Sequence, residues 1–126
     1  MLDAAKTILC VDDSPATLST WLELLDQFAY RTIAITDPLV ALPILSCIPV
    51  DLAILDYFMP GLDGGALAIN IREQSTIPIV LASNSVAEIP DSIRALVSAV
   101  VSKQDGLGSL IRIVHSLLRD PTPLGR

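Results

Sequence analysis

Five residues stand where apolar runs of this chain end, and their types suit one another chemically. Asp12 and Asp13 follow TILCV, Asp56 closes DLAILD, Ser83 follows IPIVLA, and Lys103 follows AVVS. A charge at the end of an apolar run is unfavourable unless something pairs with it. Three carboxylates brought together repel, and one takes up a proton unless a cation is present. An oxygen donor set without cysteine or histidine suits Mg²⁺, which is held by one or two carboxylates and keeps waters for phosphate oxygens. A carboxylate can also act as nucleophile and become an aspartyl phosphate. That transfer needs positioning and charge neutralisation more than covalent help. Mg²⁺ and Lys103 would neutralise, and the Ser83 hydroxyl would donate to a phosphoryl oxygen.

These residues meet only if the runs that carry them are neighbouring strands. Thr7 to Val11 is a short apolar run that suits a buried strand. Ser14-Pro15 opens a helix by cap and first-turn proline, and Leu18, Trp21, Leu22, Leu25 and Phe28 recur at helical spacing. Arg31 to Thr36 alternates as a second strand. Asp37-Pro38 repeats the cap signal, and Pro43 predicts a short or kinked second helix. Asp51 to Asp56 is a third strand, 64 to 74 a third helix, and Ile77 to Ala82 a fourth strand. A helix over 86 to 97 is interrupted by Pro90. Ala99 to Ser102 is a short fifth strand, and Leu107, Leu110, Ile111, Val114, Leu117 and Leu118 mark a last amphipathic helix.

Apolar strands alternating with helices imply a parallel sheet covered on both faces. Right-handed crossovers give a doubly wound (βα)5 sandwich, α/β and flavodoxin-like, with strand order 2-1-3-4-5. In such a sheet the site lies beyond the carboxyl ends of the strands, where the strand order reverses.

The remaining composition narrows the class. The chain has 126 residues, 52% hydrophobic and 17% charged, which fits one folded domain. We expect residues 1–119 to form it and 120–126, with Pro121, Pro123 and Gly125, to be a tail or the start of a linker. A net charge of −6 opposes phosphate backbones, so no direct nucleic-acid binding by this chain is expected. No apolar run reaches the roughly 18 residues that a membrane span needs, and acidic residues come too early for a signal peptide. A cytoplasmic location is expected. Cys10 and Cys47 have no metal-type spacing and read as small buried hydrophobes. His115 reads as a surface residue, and Trp21 as packing.

The segments VDDSP, DYFMPGLDG, the hydroxyl after IPIVLA and the lysine of VVSKQ occur in order. With them the chain resembles the receiver domain of two-component response regulators, the CheY-like family, from about Thr7 to Arg119. The resemblance implies that Asp56 is the phosphoacceptor and that Asp12 and Asp13 form the metal-binding pair. Asp13 would be the direct Mg²⁺ ligand, and Phe58 would lend its backbone carbonyl. Ser83 would be the switch hydroxyl and Lys103 the lysine that pairs with phosphate. The implied partner is a histidine kinase or histidine phosphotransfer protein. The fourth helix, fifth strand and fifth helix would carry the output to a partner, an output domain or a second copy as a homodimer.

The chain departs from that family's pattern in places. Val100 stands where an aromatic residue often precedes the lysine, and Gln104 where proline often follows it. Pro90 falls in a shortened stretch before Lys103, so the fourth helix should be short or irregular. Phe58, large and apolar, is expected to slow water attack on a phosphorylated Asp56. A pseudo-receiver, acting as an interaction module without phosphorylation, is the alternative that Val100 favours. A haloacid-dehalogenase-like hydrolase would need a second Asp where Phe58 stands.

Overall fold

The computed structural model describes residues 5–119. The stretch 120–126, expected as tail or linker, lies outside the described residues. Five strands alternate with helices: β1 (Thr7–Val11), α1 (Pro15–Gln27), β2 (Arg31–Ile35), α2 (Ala41–Cys47), β3 (Leu52–Asp56), α3 (Gly64–Gln74), β4 (Ile79–Ser83), α4 (Asp91–Arg94), β5 (Ala99–Ser102) and α5 (Leu107–Leu118). All strand pairs are parallel, in the order β2-β1-β3-β4-β5, the expected doubly wound arrangement.

The burial of each strand follows from its place in that order. β3 and β4 are buried along their whole length, and β1 is buried except at Thr7. The edge strand β2 is half-buried and begins exposed. Side chains alternate across a strand, so each strand feeds two cores. Leu9, Val11, Ala53, Leu55, Ile79 and Leu81 pack with Ala41, Leu67, Ala68, Ile71 and Ile93 from α2, α3 and α4. Ile8, Cys10, Leu52, Ile54, Val80, Ala82 and Val101 pack with Leu18, Trp21, Leu25, Leu110 and Val114 from α1 and α5.

Caps set the helix starts. The Ser14 side chain accepts from the Thr17 N–H at 3.3 Å, with Pro15 as the first helical residue. Asp37 accepts from the Leu39 N–H at 3.0 Å but opens only a 3₁₀ turn, Pro38–Val40, before the seven-residue α2. Pro43 lies in the first turn of α2, where a missing N–H breaks no helical bond.

Some boundaries differ from the sequence reading, among them the end of β4, which takes in Ser83. β2 stops at Ile35, one residue before Thr36. β3 starts at Leu52, and Asp51 just before it ties to Thr7: its carboxylate accepts from the Thr7 N–H at 2.8 Å and its N–H donates to the Thr7 carbonyl at 2.8 Å. β4 starts at Ile79, because Pro78 has no N–H for the ladder. The helix over 86 to 97 is reduced to a 3₁₀ turn, Val86–Glu88, and the four-residue α4 beyond Pro90. Two arginines hold this irregular stretch. Arg94 donates to the carbonyls of Ile89 and Val86. Arg72 donates to the carbonyls of Leu96, Ser75 and Ile77 and so ties the end of α3 to the segment before β5.

The cysteines part company. Cys10 is buried, but Cys47 at the end of α2 is exposed, which corrects the reading of both as buried. Cys47 is the last residue of α2, a helix whose one buried residue is Ala41. His115 is exposed as expected, with its Nδ1 2.6 Å from the Tyr30 hydroxyl. No helix among the described residues is long and apolar enough to cross a membrane.

Candidate functional site

Strand parity explains which of the five residues touch. Asp56 continues the side of β3 that carries Leu52 and Ile54, and Asp12 follows Ile8 and Cys10 in the same phase. Lys103 follows Val101, again in that phase. All three therefore emerge above the α1/α5 core, where they meet. The Lys103 ammonium lies 2.8 Å from Asp12 Oδ2 and 2.9 Å from Asp56 Oδ1. Asp12 is fully buried and Asp56 is 5% exposed. The second oxygen of Asp12 accepts from the Ser14 N–H at 2.8 Å, so the residue that opens α1 also fixes this carboxylate.

Asp13 is exposed, yet one oxygen each from Asp12, Asp13 and Asp56 lies within 4.8 Å of the others. Asp13 makes no ion pair or side-chain hydrogen bond among the described residues. The lysine offsets one of three negative charges, which leaves the charge of one divalent cation unmatched. The donor set is all oxygen, as hard divalent cations prefer. The residues present therefore fit Mg²⁺.

The electrostatics agree. Burial raises the Asp56 pKa above its ordinary value; the Lys103 hydrogen bond opposes this, and the neighbouring Asp12 and Asp13 charges add to it. Burial pushes Lys103 toward losing its proton, but hydrogen bonds and charge from Asp12 and Asp56 together outweigh burial and raise its pKa. An ammonium with two carboxylates stays charged, while a carboxylate with half a lysine and two like-charged neighbours is under-neutralised.

Ser83 is placed differently. It ends β4 in the phase of Leu81, so it faces the α3/α4 side. It is fully buried, and its oxygen accepts from the Ser85 N–H at 2.9 Å. Among the described residues no hydrogen bond joins it to Asp56 or Lys103. Its own O–H remains a donor. Phe58 sits in the loop after β3, 52% exposed as a residue, with its ring edge-to-face on Tyr57 at 5.0 Å between centroids. Among the described residues no hydrogen bond goes to its carbonyl.

Three features of the site go beyond the sequence reading, in which Met59 to Gly64 is turn architecture and Gly64 a residue that permits turn geometry; Gly64 has no positive φ. Asp63 caps α3 by accepting from the Ala66 N–H at 2.7 Å; an Asp just before a helix was a usable signal. Gly64 packs directly on the backbone of Asp56, and its N–H donates to the Tyr57 carbonyl at 2.7 Å. A side chain there would strike the Asp56 carbonyl oxygen and come within 2.8 Å of the Tyr57 Cα. Trp21, read as packing alone, also lies under the Lys103 ammonium, 5.9 Å from its ring centroid. Only the fold brings those two together.

Comparison with known proteins bears on the family and the fold. The family model described as the response regulator receiver domain matches residues 8–115. The response regulator GtcR of Aneurinibacillus migulanus is 35% identical over 79 residues, 63% of this chain and 33% of GtcR. The chain thus spans about a third of the length of that curated relative. The Thermotoga maritima response regulator TrrA, solved with Mg²⁺-BeF, superposes with a TM-score of 0.84 at 29% identity, covering 90% of this chain and 99% of TrrA. TrrA in complex with the histidine kinase ThkA superposes with a TM-score of 0.82, covering 90% of this chain and 98% of that one. On its fold and its matched span, this chain belongs to the response regulator receiver domain family.

Proposed function

We propose that this receiver domain takes a phosphoryl group onto Asp56 and passes the signal on by a shift between two conformations. The observation that carries the reading is the Lys103 bridge between Asp12 and Asp56, beside the exposed third carboxylate of Asp13. The donor is a phosphohistidine of a histidine kinase or phosphotransfer protein, as the ThkA–TrrA complex of a relative suggests. A carboxylate oxygen of Asp56 attacks phosphorus, the P–O bond forms as the P–N bond breaks, and the electron pair returns to the imidazole nitrogen.

Asp13, Asp12 and Asp56, with the Phe58 carbonyl, would hold Mg²⁺, which when bound neutralises charge on the phosphoryl oxygens. Lys103 turns from Asp56 to a phosphoryl oxygen while it keeps Asp12. The Ser83 O–H donates to another phosphoryl oxygen while its own oxygen keeps the Ser85 N–H. Receivers of this kind return to rest by hydrolysis of the acyl phosphate, so the domain is a switch with intrinsic phosphotransfer and autodephosphorylation. Its place is cytoplasmic, and its output runs through α4, β5 and α5 to a partner, an output domain or a second copy.

Incubation with acetyl phosphate and Mg²⁺ tests the reading. Wild type should become labelled, and Asp56→Asn should not. The four-residue α4 and the half-buried Val100 favour a second reading, a module that binds partners without phosphorylation. An unlabelled wild type would select it.

A further inference from the structure

Trp21, the single tryptophan of the chain, lies midway along α1 and is only 4% exposed. It shares the α1/α5 side of the sheet with Asp56 and Lys103. The Lys103 ammonium sits over its ring at 5.9 Å from the centroid, within the reach of a cation–π attraction. The ammonium thus contacts two carboxylates and lies within reach of an aromatic face. The lysine needs such restraint. Its stem is a flexible chain of four carbons, and a cavity of about 180 Å³ opens beside it, lined by Thr17, Thr20, Trp21, Ser102, Lys103 and Leu107 among others. Trp21 is part of that lining, so loss of its ring would enlarge the volume open to the stem.

We infer that Trp21 is a positioning residue for Lys103: its indole face keeps the ammonium over the Asp12–Asp56 pair and out of the adjacent cavity. The inference rests on the reading of Asp56 as phosphoacceptor for its effect on rate, but not for the contact itself. The chemistry required of residue 21 is therefore aromaticity, beyond apolar bulk.

Two measurements test this separately. In the proton NMR spectrum of the wild-type chain, the Lys103 side-chain methylenes should be shifted upfield by the ring, with the exposed Lys6, the other lysine, as internal reference. Trp21→Phe should keep part of that shift, and Trp21→Leu should lose it. Unshifted Lys103 methylenes in wild type overturn the inference, whatever the variants do. The second readout is labelling by acetyl phosphate with Mg²⁺. Trp21→Leu should slow it by roughly three- to tenfold, and Trp21→Phe should restore it to within about twofold of wild type. An unchanged rate in Trp21→Leu, or an equal loss in both variants, reduces Trp21 to packing. A wild type that is not labelled at all removes the phosphoacceptor reading, and the NMR shift still judges the contact.

Discussion

Lys103 reaches Asp12 at 2.8 Å across 91 positions of sequence, although β3 and β4 stand between their strands in the sheet. The same ammonium serves Asp56 at 2.9 Å. These are the two ion pairs found among the described residues, so one lysine carries the charge balance of the whole strand-end cluster. That balance is incomplete, and most of what the site should do follows from the deficit.

Removing the lysine should separate metal binding from phosphotransfer. In Lys103→Met, Asp12 Oδ2 is freed and the cluster gains one uncompensated negative charge. Titration calorimetry should then show Mg²⁺ bound about three- to tenfold more tightly. Labelling by acetyl phosphate should slow by more than about tenfold, because a charge on the transferring group loses its partner. Weaker Mg²⁺ binding in the variant contradicts this account of the charge balance.

Asp56→Asn should stabilise the fold at neutral pH. A folded-state pKa above the unfolded value, with burial as its main cause, means that folding penalises the charged carboxylate. The penalty is full above the raised pKa and disappears as pH falls below the ordinary value of 3.8. Without added Mg²⁺, thermal denaturation should give a Tm about 2–5 °C above wild type at pH 7, with the gain vanishing toward pH 3. A lower Tm at pH 7 would show that the Lys103 pair outweighs the burial.

Gly64→Ala should cost stability and disturb the site together. The new Cβ would collide with the backbone of Asp56, the last residue of a central strand, and of Tyr57 just after it. We expect a loss of about 2–4 kcal/mol in denaturant unfolding and slower labelling of Asp56. By contrast, Gly108→Ala in α5, where the nearest atom to a new Cβ is 3.9 Å away, should be near neutral or slightly stabilising. Equal stability of the two variants counts against the close approach.

The two thiols should differ sharply in reactivity. Burial pushes the Cys10 thiol up to about 12, whereas Cys47 lies exposed at the end of α2. Native protein should release one equivalent of chromophore from an aromatic disulfide reagent at pH 8, and two after denaturation. Rapid reaction of both in the native state would mean that the α1/α5 core opens readily.

Phe58→Asn should shorten the life of the phosphorylated state. The residue is half exposed beside the site and its ring rests edge-on against Tyr57, so no core depends on it. Replacing it with a small polar side chain should admit water and shorten the phosphoryl half-life by about threefold or more, followed by loss of label after the donor is removed. An unchanged or longer half-life sinks the idea.

The sequence by itself determined which runs are strands and which polar residues stand at their ends, to within a residue or so. TILCV, LAILD and IPIVLA are apolar because central parallel strands are covered on both faces, and that pattern is written in the chain. The polar residue ending each run was therefore legible, as were the caps at Ser14 and Asp37 and the fracture of the fourth helix at Pro90. What sequence could not decide was which of those ends touch. Asp12, Asp56 and Lys103 share one side of the sheet, and Ser83 the other, because parity and register act through the assembled sheet. Trp21 lay in the helical stripe that any core helix shows, and nothing local distinguishes a packing tryptophan from one that holds a lysine. Cys47 looks like its buried counterpart in the sequence, yet the fold leaves it exposed at the end of α2. Local pattern fixes an element and its inner face; contacts between distant elements arise only when the layers close.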